Sequence, residues 1–136
     1  MPKMNLIAVL VSAVVAFVIG GLWYSPLLFG KTYTALRGMQ PENITDTTMP
    51  VGEIVGELAR WLVISFVLAR FMVLLGVGDL TGALSFGGWM WLVIYVALTG
   101  SVLHERYPWR LYALHAGDGF VKIMLITTIL SLWPAR

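Results

Sequence analysis

The chain has 136 residues, of which 59% are hydrophobic and only 12% are charged, and its mean hydropathy is +0.84. This composition is too apolar for a water-soluble domain of this length, and it indicates a protein that folds in a lipid bilayer. The sequence contains no cysteine, which excludes disulfides and thiolate chemistry, and its net charge of +2 comes from scattered Lys and Arg residues that form no nucleic-acid-binding cluster.

Four long apolar segments follow one another, and each can cross the hydrocarbon core of a bilayer at about 1.5 Å per helical residue. The predicted helices extend over about Met4 to Phe29, Val51 to Gly76, Leu80 to Leu103 and Trp109 to Trp133. The first connection, 31–50, is long and polar, whereas "GVGD" and "HERYP" are too short to hold domains, so adjacent helices must run antiparallel. The sequence therefore predicts an all-α fold, in which residues 1–136 form one up-and-down bundle of four transmembrane helices.

The end of the first predicted helix carries the segment "LWYSPLLFGK", residues 22–31. Trp23 and Tyr24 lie about twenty residues after Met4, at the depth where amphipathic aromatic rings prefer the membrane interface. Pro26 disfavours helical geometry at Ser25, so we expect the chain to bend there and Lys31 to reach water. Because the apolar run continues into these residues instead of a cleavage site, we expect the first segment to be retained as a membrane helix.

Small residues recur every four positions along the first helix, where they form one ridge: Ala8, Ser12, Ala16 and Gly20. Such a ridge lets helix backbones approach closely, which matters because lipid supplies no hydrophobic drive between helices. Comparable pairs are Gly52 with Gly56, Ala83 with Gly87, and Ala113 with Gly117. We interpret these positions as helix-packing surfaces within one chain or between protomers.

Six ionisable residues lie inside the second and fourth predicted helices, and each group of three falls on one helix face at about 100° per residue. They are Glu53, Glu57 and Arg60 on the second helix, and His115, Asp118 and Lys122 on the fourth. Both helices start from the same side of an up-and-down bundle, so the two stripes occupy similar depths and can meet. An isolated charge inside a bilayer is costly, so these groups are expected to pair.

Two hypotheses account for this polar cluster. In the first, its ion pairs and hydrogen bonds fix the register of the helices. In the second, Glu57, Arg60, His115 and Asp118 exchange partners as a proton or small solute moves, and the imidazole titrates near neutral pH.

Cofactor and enzyme signals are weak in this sequence. His104 and His115 are candidate ligands of a haem or chlorophyll, because a single His can hold such a group. Pro108 breaks the helix between them, and we predict neither a cofactor nor a metal. No Ser-His-Asp spacing, Gly-rich phosphate loop or HExxH motif occurs, so we expect no enzymatic activity.

Several segments resemble a bacterial family of small four-helix membrane proteins that is known only as a domain of unknown function. They are "LWYSPLLFGK", "FVLARF", "ERYPWRLYALHAG" and "ILSLW". The family pattern reads Asn-Ala-Gly-Tyr where this chain has His115 to Asp118, so two uncharged positions are ionisable here. The resemblance implies a four-helix membrane fold and no catalytic residue.

Positive charges flank the predicted spans unequally. Lys31, Arg37, Arg106 and Arg110 lie in the first and third connections or beside them, whereas Lys3 and Arg136 lie at the termini. This bias favours both termini outside, and the family resemblance implies a bacterial inner membrane. The first functional hypothesis is a non-enzymatic oligomeric or accessory subunit of a membrane complex. The alternative is a small proton-coupled transporter or channel built on the polar cluster, and neither hypothesis includes a nucleic acid partner.

Overall fold

The computed structural model describes residues 4–23, 51–105 and 108–133. In this part of the chain four helices follow one another: α1 spans Leu6–Trp23, α2 spans Val51–Leu75, α3 spans Leu80–His104 and α4 spans Trp109–Leu132. All four are long and apolar enough to cross a membrane, and the described residues include no β-strand. The predicted all-helical membrane fold is therefore confirmed.

Local chemistry determines where α2 ends and α3 begins. Gly76 adopts a φ of +68°, a left-handed conformation that suits glycine, and the amide of Val77 donates to the carbonyl of Met72 at 2.8 Å. Asp79 then caps α3, because its carboxylate accepts a hydrogen bond from the amide of Gly82 at 3.0 Å. These two caps confine the connection between α2 and α3 to a tight turn.

The central helix of the bundle is α4, which packs along α3 on one side and along α1 on another. Helix α2 packs along α1 and contacts α4 less extensively. The side chain of Asn5, just before α1, donates to the carbonyl of Trp133, just after α4, at 3.0 Å. At the opposite end the indole of Trp23 donates to the carbonyl of Leu114 at 3.2 Å. Neighbouring helices α1 and α4 are therefore antiparallel, as in an up-and-down bundle.

The core lies between the helices and is formed mainly by large apolar side chains. Its buried members are Ala16, Trp61, Leu68, Met72, Ala83, Phe86, Ile123 and Ile126. In the most apolar part of each helix, 39% of the residues are buried in α4 but only 17% in α3. Most of the α3 surface thus faces outward, where a bilayer supplies the apolar surroundings.

The small-residue positions have contrasting surroundings. Ala8 and Ser12 are fully buried on α1, and a Cβ atom added to Gly20 would lie 2.9 Å from the Nζ atom of Lys122. In contrast, Gly52 and Gly56 are exposed, and a Cβ atom at either would meet open space. Gly52 and Gly56 therefore do not pack against another described helix of this chain, and their interpretation as a packing pair between protomers stays a prediction.

Candidate functional site

A buried ion pair lies near the middle of the central helix. The Nζ atom of Lys122 is 2.8 Å from Oδ2 of Asp118, and the two side chains are only 3% and 8% exposed. The four-residue spacing places both on one face of α4, where their side chains can meet. At about 1.5 Å per residue, Lys122 is about 20 Å from the start of α4 and about 15 Å from its end. The pair therefore lies deep in the membrane-spanning part of the bundle.

Two other helices enclose the amine of Lys122. Its Nζ atom lies 4.6 Å from the ring centroid of Trp61 on α2, at a distance typical of a cation–π interaction. On the α1 side it lies against Gly20, where a Cβ atom would approach within 2.9 Å. Glycine at this position gives the ammonium group room between the helices. The charged pair thus joins α1, α2 and α4 at one point.

Four buried polar atoms have no hydrogen-bond partner among the described residues. They are Oγ of Ser12, Nε1 of Trp61, Oγ of Ser65 and Oδ1 of Asp118. Most buried polar groups in proteins are hydrogen-bonded, so unpartnered atoms are notable. All four belong to α1, α2 and α4, the helices that surround the amine of Lys122.

The polar stripe of α2 lies on the outside of the bundle. Arg60 and Glu57 form an ion pair of 3.1 Å, and the Arg60 side chain is 59% exposed. Glu53 is exposed and forms no ion pair with any residue that the structure describes. The stripe points outward because the adjacent residue, Trp61, occupies the inward position and is only 4% exposed. The predicted six-residue cluster is therefore divided into an outer pair on α2 and a buried pair on α4.

Trp61 nevertheless connects the two groups. The guanidinium carbon of Arg60 lies 5.6 Å from the Trp61 ring centroid, so this ring contacts one cation from each stripe. His115 is half-buried on the same helix, one turn before Asp118. Among the described residues no three His, Asp or Glu side chains are arranged to hold a metal ion. The expectation that the chain binds no tetrapyrrole through His115 stays a prediction.

Tryptophan contacts with α4 were missed by the sequence reasoning. The indole of Trp91 on α3 donates to the carbonyl of Ala116 at 2.8 Å, and the indole of Trp23 donates to Leu114. With Trp61, which contacts Lys122, indoles from three helices contact α4 between residues 114 and 122. The sequence placed Trp23 at a membrane interface, and the structure shows that its ring contacts protein. No periodic pattern in the sequence distinguishes such inward indoles from exposed ones such as Trp89.

The remaining hallmark residues at the end of the first predicted helix are Tyr24, Ser25, Pro26 and Lys31. They lie outside the described residues. The predicted bend at Pro26 and the predicted extension of the first helix to Phe29 therefore stay predictions.

Comparison with known proteins identifies the family. Residues 7–131, nearly the whole chain, match a family described as a protein of unknown function, DUF1761. The chain belongs to DUF1761. The predicted membership in a helical family of unknown function is thus confirmed. No curated protein and no solved structure matched the sequence. Since this family has no described function, the role of the buried pair must be argued from its geometry.

Proposed function

We propose that this DUF1761 chain is a non-enzymatic subunit of a bacterial inner-membrane complex, either as a homo-oligomer or beside other membrane subunits. The observation that carries this proposal is the buried pair of Asp118 and Lys122, whose charges are satisfied mainly inside the bundle. An ion pair enclosed in this way favours one arrangement of the helices over others. Its chemistry therefore suits a structural role.

The packing of the core also supports a role through association. Large buried side chains, including Trp61, Met72 and Phe86, pack together where the helices meet. Four helices packed in this manner offer little room for a central pore. A subunit of this size acts most readily through the outer surfaces of its helices. We propose lipid and other membrane helices as its partners, with no nucleic acid among them.

The proposed topology has both termini outside the cell membrane. Lys31 and Arg37 lie in the first connection, and Arg106 and Arg110 lie in the third or beside it. Connections rich in Lys and Arg tend to stay on the cytoplasmic side. An up-and-down bundle with these two connections inside has its N-terminus, C-terminus and second connection outside.

Native mass spectrometry of the protein released from its own membrane tests the proposal. We expect a complex of fixed stoichiometry, containing further copies of the chain or other membrane subunits. An absorbance spectrum of the same sample detects any bound tetrapyrrole. A monomer that carries only lipid, obtained without detergent exchange, would contradict the proposed role.

A second candidate function is a small proton-coupled transporter or channel. It is favoured by the unpartnered Oδ1 atom of Asp118, because an ionisable group deep in a membrane often marks a transport path. The participating residues would be Glu57, Arg60, His115, Asp118 and Lys122.

The variant Asp118→Asn separates the two functions. If the pair serves structure, the variant lowers stability or assembly. If Asp118 relays protons, the variant keeps the fold and loses pH-dependent flux in proteoliposomes. Normal assembly together with normal flux would exclude both roles for Asp118.

A further inference from the structure

The four unpartnered polar atoms are deeply buried and chemically complementary. Ser12 and Ser65 are 0% exposed, Trp61 is 4% exposed and Asp118 is 5% exposed. The Oδ1 atom of Asp118 accepts hydrogen bonds, the Nε1 atom of Trp61 donates them, and each serine hydroxyl does both. Leaving such a group buried without a partner costs about 1–3 kcal/mol. Four such groups in one bundle therefore call for small polar partners.

The alignment of α2 with α4 shows the depth at which two of these groups, Trp61 and Ser65, lie in the bundle. Trp61 contacts the amine of Lys122, which also binds Asp118. Ser65 lies on the same face of α2 one turn further along, about 6 Å from Trp61. Both Trp61 and Ser65 point inward, as their burial shows.

The alignment of α1 with α4 places Ser12 at a depth similar to that of Ser65. The two helices are antiparallel, with Asn5 bonded to the carbonyl of Trp133 and the Trp23 ring against Gly117. Counting along both helices from these contacts places Ser12 opposite the turn of α4 that contains Ile126. Ile126 and Trp61 belong to the same buried cluster. Ser12 and Ser65 thus both lie beyond the charged pair, toward the C-terminal end of α4.

The hydroxyl groups of α4 provide an internal comparison. Thr127 donates to the carbonyl of Ile123 at 3.1 Å, and Thr128 donates to that of Met124 at 2.7 Å. Serine and threonine in helices commonly satisfy themselves in this way. Ser12 and Ser65 form no such bond, so their hydroxyl groups are available to another partner.

We propose that the interface of α1, α2 and α4 binds internal water, which links Asp118 and Trp61 to Ser65 and Ser12. Water is favoured because the site needs a small neutral molecule that both donates and accepts, and buried water typically makes two to four hydrogen bonds. The Lys122 ammonium disfavours a cation there, and the Asp118 carboxylate disfavours an anion. The inference goes beyond the proposed subunit role, because it assigns Ser12 and Ser65 as water ligands.

Solid-state NMR of the full chain in lipid bilayers tests this inference through magnetisation transfer from water. We expect magnetisation from water to build up several-fold faster on isotopically labelled Ser12 and Ser65 than on Ala8 and Ala13, which are equally buried and apolar. Serine signals that build up no faster than those of the two alanines would overturn the proposal.

A pair of variants tests the link to the carboxylate. In Ser12→Ala/Ser65→Ala, we expect transfer from water to Asp118 to fall several-fold. The matched control is Ser131→Ala, since Ser131 is buried but already donates to the carbonyl of Thr128 at 2.9 Å. Unchanged transfer to Asp118 in the double variant would overturn the link. Because this readout does not depend on assembly, it distinguishes failure of the inference from failure of the subunit role.

Discussion

Lys122 holds its ammonium group among three helices, with Asp118 beside it, the Trp61 ring at 4.6 Å and Gly20 behind it. We predict that Lys122→Met destabilises the bundle by about 3–5 kcal/mol, because the substitution leaves a carboxylate buried without its counter-charge. The free energy of unfolding in mixed micelles, followed by helical circular dichroism, measures this loss.

A double variant provides the control for Lys122→Met. Asp118→Asn/Lys122→Met removes both charges, so we expect it to cost less than the sum of the two single substitutions. If the losses of unfolding free energy in the two single variants simply add in the double variant, the two side chains do not stabilise each other.

Trp91 and Trp89 give a matched comparison on one helix. Trp91 donates to the carbonyl of Ala116 and packs edge-on against Phe120 at 5.2 Å, whereas Trp89 is 65% exposed. We predict that Trp91→Phe keeps most of the ring packing but loses the hydrogen bond, at a cost of about 1 kcal/mol. Trp89→Phe should change the free energy of unfolding by less. Equal effects of the two substitutions in the same unfolding assay would contradict the inward role of Trp91.

At the scale of helices, α3 and α4 approach closely through a glycine on each. A Cβ atom added to Gly87 would lie 2.8 Å from Oγ1 of Thr127, and one added to Gly119 would collide with the Tyr95 ring. Tyr95 also accepts, through its carbonyl, a hydrogen bond from the hydroxyl of Tyr112. The close contact between α3 and α4 therefore depends on glycine, which has no side chain, at positions 87 and 119.

This close approach predicts that Gly119→Ala destabilises the bundle by about 1–3 kcal/mol, because the new methyl group displaces Tyr95. The control is Gly56→Ala on the outer face of α2, where nothing lies within 4 Å, and where alanine is expected to be neutral or slightly stabilising. Thermal unfolding in lipid nanodiscs compares the two. Replacing the opposing ring in Tyr95→Leu should reduce the destabilisation that Gly119→Ala causes. If Gly119→Ala costs as much stability in the Tyr95→Leu background, the steric explanation is contradicted.

The helices could be predicted from the sequence because spanning a bilayer requires long uncharged apolar runs. The spacing of Asp118 and Lys122 likewise indicated that they share a face. Periodicity does not show which neighbour a face meets, however, so the outward direction of Glu57 and Arg60 could not be inferred. Gly52 with Gly56 and Ala83 with Gly87 have the same spacing, yet only the second pair is buried. The difference arises from tertiary packing, which local sequence does not encode.

At the scale of the whole molecule, the spatial order of the helices differs from their order in sequence. α4 lies beside α1 and α3, whereas α2 and α3 are joined by a short turn and yet do not pack along each other. The bundle is therefore organised around its last helix. Since α4 also carries the buried charged pair, its packing against α1 and α2 forms the surroundings of that pair.

The alternation of the helices makes a prediction about topology that cysteine labelling can check. The chain has no cysteine, so Gly78→Cys, after α2, and Glu105→Cys, after α3, each introduce one exposed thiol at opposite ends of α3. Because Lys and Arg favour the cytoplasmic side, we expect a membrane-impermeant maleimide to label Gly78→Cys in intact cells. Glu105→Cys should be labelled only after permeabilisation. Labelling of Glu105→Cys alone in intact cells would overturn the proposed orientation but agree with the arrangement of the helices. Labelling of both thiols in intact cells would contradict the prediction that α3 spans the membrane.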